Sequence, residues 1–247
     1  MEMIRPKQGS KEFLECWSAA AQHVCLCGDE SLRWLKSDPF PPYLDHISFF
    51  YGNQAFFIFL EDVNHCLEIP GSKENVLRIA RGWDGYACLL PMKKTLSSGW
   101  QPKYPAWGLI DLEIGRQIDP PSLVTDEEIE CTDWELYDFA CQIVRSDIEQ
   151  KGYKIMSVNR DIDIMPSLWF VGPTGEEWVQ IVVSRFPETS GELPQGFDVL
   201  ETEFSRLGYK GHLARVHFSH STSNPDSPRI IRGQGANVRY KGLEPIE

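Results

Sequence analysis

Ser167-Leu168-Trp169-Phe170-Val171-Gly172-Pro173-Thr174-Gly175-Glu176-Glu177-Trp178-Val179-Gln180-Ile181-Val182-Val183 reads as a β-hairpin. Its first arm is aromatic and apolar, its Gly-Pro-Thr-Gly centre turns the chain, and its return arm is nearly all apolar. A return strand that is apolar on both faces belongs in the middle of a sheet covered by helices on both sides. A second stretch has the same character. Ile47-Ser48-Phe49-Phe50-Tyr51 reaches Gly52-Asn53 and returns as Ala55-Phe56-Phe57-Ile58-Phe59, with Gly52 and Gly175 spaced 123 residues apart.

Each hairpin is preceded by an amphipathic stretch. One opens at Glu12 with apolar positions 13, 16, 17, 20, 21 and 24, the other at Glu135 with positions 136, 139, 140, 143, 144 and 148. Both follow the helical i, i+3, i+4, i+7 rule. Thr132 and Glu135 form the pattern of a capping box, and Gly152 is the matching stop. Each hairpin is followed by a short helix ending at a left-handed glycine, Gly82 or Gly208, then an aromatic residue, a second glycine (Gly85 or Gly211) and a strand. Trp107-Gly108-Leu109 and Lys241-Gly242-Leu243 close the two halves. Residues 153–158 supply a further strand in the second half; Leu32-Arg33-Trp34-Leu35 is its counterpart, strand or helix.

These landmarks predict an α/β (mixed α+β) protein: a tandem duplication of a helix-strand-strand-strand-helix-strand unit, each mixed sheet flanked by helices. The first unit spans 1–118 and the second 132–247. Residues 119–131, with Asp119-Pro120-Pro121 and the acids Asp126, Glu127, Glu128 and Glu130, form the linker. Chance patterning of two ordinary α/β halves is the competing account.

The chain has 247 residues, 42% hydrophobic and 12% aromatic, with eight Trp, which excludes disordered, collagen-like and disulfide-miniprotein classes. Lys and Arg number 24 against 36 Asp and Glu, a net charge of −12. Such a field repels phosphate backbones and anionic membranes and attracts basic partners. No apolar run reaches membrane-spanning length, and residues 1–11 lack the pattern of an export signal, so a cytoplasmic location is expected. Seven irregularly spaced Cys read as thiols of a reducing compartment, several of them core residues.

The order of elements over about 134–220 resembles the core of the restriction-endonuclease-like superfamily, the PD-(D/E)xK nucleases. In that family Pro-Asp opens the second core strand and Glu-x-Lys sits on the third; the carboxylates hold Mg²⁺ and the Lys faces the attacked phosphate. Here Pro166 is followed by Ser167, and Glu177-Trp178-Val179 stands where the family has Glu-x-Lys, so only Glu177 matches. In the first half Gln54 falls near the acidic position and Phe56 near the Lys. One carboxylate is a weak claim on a cation that wants several oxygen ligands. A rearranged site would take Asp163 and Glu177 as Mg²⁺ ligands, with Asp161 close to hand, and Lys210 or Arg185 as the phosphate-facing cation. The competing reading makes Glu176 and Glu177 the solvated end of a hairpin.

Other constellations are weaker. His23-Val24-Cys25-Leu26-Cys27, with His65-Cys66, offers zinc ligands if it is a strand and diverging side chains if it ends the first helix. Ser219-His220-Ser221 lacks a nucleophile elbow, His212 and His217 lie on one strand with opposite faces, and Gly233-Gln234-Gly235 lacks a third glycine. Two segments are candidates for partner binding. Trp100, Tyr104 and Trp107 sit in the irregular stretch 99–109, as an interface anchor or as a lid on the first core. Arg229, Arg232 and Arg239, with Lys241, form a basic segment after the loop-forming residues 224–228 and could contact phosphate or an acidic partner.

The expected function is a non-catalytic cytosolic binding protein with a protein partner, of the kind found as immunity, inhibitor or accessory proteins in bacterial toxin or defence systems. Nucleic acid is expected only through the C-terminal basic segment, and no membrane is expected. The rival expectation is a metal-dependent nuclease-like enzyme built on Asp163, Glu177, Lys210 and Arg185 with Mg²⁺.

Overall fold

Ser10 accepts a hydrogen bond from Phe13 N, and Thr132 and Glu135 cap each other's backbone, so the two long helices start where their capping residues set them. The structure, a computed structural model, describes residues 9–37, 46–188, 190–220 and 229–246. The loop expected at 224–228 lies outside the described residues. The first unit contains α1 (Lys11–Cys27), β1 (Leu32–Lys36), β2 (Ile47–Tyr51), β3 (Gln54–Asp62), α2 (Lys73–Gly82), β4 (Tyr86–Thr95), β5 (Gly99–Pro102), β6 (Leu109–Asp111) and β7 (Gln117–Ile118). The second contains α3 (Asp133–Gln150), β8 (Lys154–Val158), β9 (Leu168–Gly172), β10 (Gly175–Arg185), α4 (Phe197–Arg206), β11 (Lys210–His220), β12 (Ala236–Tyr240) and β13 (Glu244–Pro245).

This is an α+β fold with mixed sheets flanked by helices. The first sheet runs β1-β2-β3-β4-β6-β7 with β5 beside β4; the second runs β12-β11-β10-β9-β8 with β13 beside β11. Both units share one pairing scheme. The hairpins β2–β3 and β9–β10 are antiparallel, and the strand after the short helix returns parallel to the long arm, β4 on β3 and β11 on β10. Burial shows the same scheme at side-chain level. Phe13, Cys16, Trp17, Ala20 and Val24 are the buried stripe of α1; Tyr137, Ala140, Cys141, Val144 and Ile148, each 124 positions later, are buried on α3.

Two details differ from expectation. The tight turn of the second hairpin falls at Pro173-Thr174, because Gly175 pairs with Gly172 inside the ladder. The left-handed residue after α2 is Asp84 (φ 46), whereas after α4 it is Gly208 (φ 83). The chain divides into its two units between Glu127 and Glu128, inside the expected linker 119–131. On the near side Pro120 is buried in a 3₁₀ turn, and Asn53 bonds Thr125 and the Glu127 carbonyl. On the far side Glu130 bridges Ile231 and Cys131 N donates to the Ile230 carbonyl. Asp126, Glu127, Glu128 and Glu130 are exposed, while the backbone at Glu127 and Glu130 is hydrogen-bonded, each within its own unit.

Gly85 and Gly211 are required by close approach. A Cβ at Gly85 would stand 2.8 Å from the Ala55 carbonyl oxygen, and one at Gly211 2.4 Å from the Trp178 ring. Each lets the parallel strand lie against the long hairpin arm. The undecided segment 32–36 is strand β1, antiparallel to β2. Among the described residues no helix is long and apolar enough to cross a membrane. All seven cysteines are free thiols; Cys16, Cys88, Cys131 and Cys141 are buried, and burial pushes the Cys16 thiol up to about 12.

Candidate functional site

The acid end of the hairpin in the second unit is closed rather than solvated. Glu177 lies on β10 and is 2% exposed; β11 runs beside it with Lys210 opposite Glu177 and His212 opposite Val179. Side chains two apart share a face of a strand, so Glu177 and His212 face the same way. His212 Nε2 donates to Glu177 Oε2 at 2.6 Å, since the carboxylate can only accept. Thr174, in the turn, donates to Glu177 Oε1 twice, from its hydroxyl at 2.6 Å and its backbone N–H at 3.1 Å. Phe170 packs on the imidazole with ring centroids 5.8 Å apart, and His212 Nδ1 is buried without a hydrogen-bond partner.

Burial opposes ionisation of Glu177, but the bonds from Thr174 and His212 outweigh it and hold its pKa below the ordinary carboxylate value. Both carboxylate oxygens are therefore engaged by protein donors. The first unit has no carboxylate at the equivalent place. Counted from Gly85 as Glu177 is from Gly211, that place is Gln54, whose Nε2 donates to Asn53 Oδ1.

The other residues of the rearranged nuclease site do not join Glu177. Asp163 is exposed in the turn between β8 and β9, where its backbone N–H donates to Asp161 Oδ1. Arg185 lies eight residues further along β10, about 26 Å at the rise of an extended strand. Its guanidinium is held by Glu130 at 2.8 Å and Asp133 at 2.7 Å. Lys210, exposed at the start of β11, is the one of the three that stands level with Glu177. Among the described residues no three His, Cys, Asp or Glu side chains gather closely enough to hold a metal ion. This donor set does not fit Mg²⁺, which takes several oxygen ligands in near-octahedral geometry.

His23 to Cys27 is the last turn of α1, so the strand alternation that would align three zinc ligands does not form; only His23 and Cys27 approach, at 3.7 Å. His212 was legible as a strand residue, but its pairing with Glu177 depends on the β10–β11 register, which no local pattern encodes.

The candidate partner-binding residues are corrected in part. Trp100 and Trp107, 8% and 5% exposed, belong to the core of the first unit; Trp107 stacks on Phe49 at 5.9 Å. The lid reading of 99–109 describes them, and Tyr104 alone stays half-exposed, beneath Lys103. In the C-terminal segment Arg232 is buried against Glu135, because a guanidinium inside a protein needs a carboxylate. Arg229 is exposed, near Glu130 at 3.8 Å, and Arg239 is exposed on β12. The expected basic patch thus loses its central member.

No curated protein and no solved structure matches the chain. Residues 134–246, from the first turn of α3 through β13, match the model of a family described as a domain of unknown function (DUF8840).

Proposed function

We propose that this protein is a non-catalytic binding protein of the cytosol whose partner is a basic protein, in the manner of immunity, inhibitor or accessory proteins of bacterial toxin and defence systems. We further propose that its two units descend from one copied module related in topology to restriction-endonuclease-like cores. The observation that carries this reading is the commitment of Glu177. The only acidic residue matching that superfamily's motif has both oxygens engaged by Thr174 and His212, away from Asp163 and Arg185. The net charge of −12 supports a basic partner, because like charge disfavours nucleic acid at long range.

A second reading, a nuclease-like enzyme, draws support from one observation: Lys210 stands level with Glu177 at the start of two parallel strands. The two are separated by capturing the partner from the native source, purifying both proteins and titrating one with the other. The binding reading expects a stoichiometric complex with a basic protein that weakens as salt rises. Absence of a stoichiometric complex, or Mg²⁺- or Mn²⁺-dependent cleavage of nucleic acid abolished by Glu177→Ala, overturns it.

A further inference from the structure

β9 accompanies β10 only as far as Val179, opposite Leu168; from Gln180 to Arg185 the ladder partner of β10 is β11 alone. Beside that stretch of β10 lies a cleft of about 320 Å³ whose lining includes Leu136 and Tyr137 of α3 and, from the chain after β10, Glu188 and Glu192. That volume is at the lower end for small-ligand sites and suits a single side chain or a comparably small group.

Three of the lining residues, Tyr137, Gln180 and Ile181, are fixed by hydrogen bonds. Tyr137 donates to Ser167 Oγ at 2.7 Å, and Ser167 Oγ accepts the Ile181 N–H at 2.9 Å. The Ile181 carbonyl accepts Gln180 Nε2 at 3.1 Å. This orients the Gln180 carboxamide and leaves its Oε1 without a donor, although the residue is 1% exposed and lines the cleft. Buried acceptors are normally paired, so this one points to a ligand that brings N–H groups. Ser184, on the same strand, is already bonded to His217 Nδ1 at 3.2 Å.

The charges at the cleft select the ligand's sign. Arg185 is tied to Glu130 and Asp133 and donates to the Cys131 carbonyl at 3.0 Å, so its charge is locally balanced. Glu188 and Glu192 are exposed at the rim. Strand addition along the edge is disfavoured, because the chain after β10 folds back on it: a Cβ at Gly191 would stand 2.3 Å from the Val183 carbonyl oxygen.

Building on the binding-protein reading above, we propose that this cleft receives an arginine side chain of the protein partner. Its guanidinium N–H groups donate to Gln180 Oε1, and its charge faces Glu188 and Glu192. The guanidinium suits the site because it presents several donors in one plane and is less strongly hydrated than an ammonium group.

The test uses the full chain and three blocked tripeptides, acetyl-Gly-Arg-Gly-amide and its citrulline and glutamate counterparts, followed by NMR at the Gln180 side-chain amide. The arginine peptide should give a saturable shift there, weaken with added salt, and bind at least tenfold more weakly to Gln180→Leu and to Glu188→Gln/Glu192→Gln. The rim variant changes exposed residues only, so it keeps the test decisive if Gln180→Leu does not fold. Citrulline should bind more weakly than arginine and glutamate should not bind. No saturable shift at Gln180, equal binding of the glutamate peptide, or arginine binding unchanged in the variants overturns the proposal. A partner complex that forms equally well with Glu188→Gln/Glu192→Gln overturns the cleft alone; failure of the unaltered chain to form any complex overturns the binding-protein reading itself.

Discussion

Arg232 holds Glu135 in the interior of the second unit: the two residues are 5% and 0% exposed, and Arg232 Nε lies 3.1 Å from both carboxylate oxygens. Glu135 also accepts the Thr132 N–H, so one carboxylate ties the C-terminal segment to the first turn of α3. Removing one partner of such a pair strands a buried charge. Arg232→Met is expected to cost ~3–5 kcal/mol in urea unfolding of the second unit. Glu135→Leu/Arg232→Met should recover most of that loss, whereas Arg229→Ala, at the surface, should change stability by less than ~0.5 kcal/mol. Equal losses for Arg229 and Arg232 would contradict the assignment.

Glu177 makes a pH-dependent contribution. A carboxyl whose folded pKa lies below its ordinary value of 4.5 adds stability above that value, and the contribution fades as pH falls through the folded pKa. Thr174→Val removes the hydroxyl bond and moves the Glu177 pKa upward. The expected cost is ~1.5–3 kcal/mol at neutral pH, the range for hydrogen bonds to charged groups. The difference from the unaltered protein should shrink in acid, where Glu177 is protonated in both. A loss that does not depend on pH would show that Glu177 is not ionised in the fold.

The aromatic stretch 99–109 is expected to act in stability. Trp107 meets Phe49 and Tyr51 at 5.9 and 5.4 Å between ring centroids, inside the core of the first unit. Trp107→Ala should cost ~3–5 kcal/mol, and Trp100→Ala should also destabilise, by the burial lost and the cavity left. Tyr104→Ala, half-exposed, should be near neutral. A partner-binding defect in Trp107→Ala with unchanged thermal unfolding would restore the interface-anchor reading.

His217 reports on the exposed arginine of β12. Burial first, and then the charge of Arg239, which pairs with it in the β11–β12 register, hold the imidazole below its ordinary value of 6.5. The Glu188 backbone carbonyl acts in the opposite direction. Arg239→Gln is expected to raise the His217 pKa in an NMR titration. For a histidine depressed in this way, stability is full above 6.5 and declines as pH falls from there toward the folded value. Arg239→Gln should therefore lessen the acid-side loss. An unmoved His217 titration would contradict the pairing.

Much of the fold is written in local patterns. The stripes of α1 and α3, the capping box at Thr132 and the two hairpins are set by neighbours a few residues apart; the glycines at 85 and 211 stand out in the sequence, but the close approach that requires them comes from Ala55 and Trp178, some thirty residues away. What local pattern cannot supply is the partner of a polar residue. Arg232 follows a loop-like composition and read as surface; its carboxylate, Glu135, is 97 residues away in the chain. Glu177 read as the tip of a hairpin, but Gly172–Gly175 extends the ladder past it and β11 brings His212 alongside. For Trp100 and Trp107 the irregular stretch left two readings open, interface anchor or lid, and burial in the first core, with strand β5 and the turn after it, agrees with the lid. Gln180 carried a signal that could have been used: it is the lone polar residue within Trp178-Val179-Gln180-Ile181-Val182-Val183.

Glu177, the residue that matches the nuclease motif, has both carboxylate oxygens engaged by Thr174 and His212, and in the function proposed above it takes no part in cleavage. The direct measurement is an endpoint cleavage assay of the full chain on single- and double-stranded DNA and on RNA with Mg²⁺ and with Mn²⁺, run beside Glu177→Gln. The expected result is no cleavage above that of Glu177→Gln with either metal. Metal-dependent cleavage by the unaltered chain that disappears in Glu177→Gln, with the variant still folded, would contradict the account.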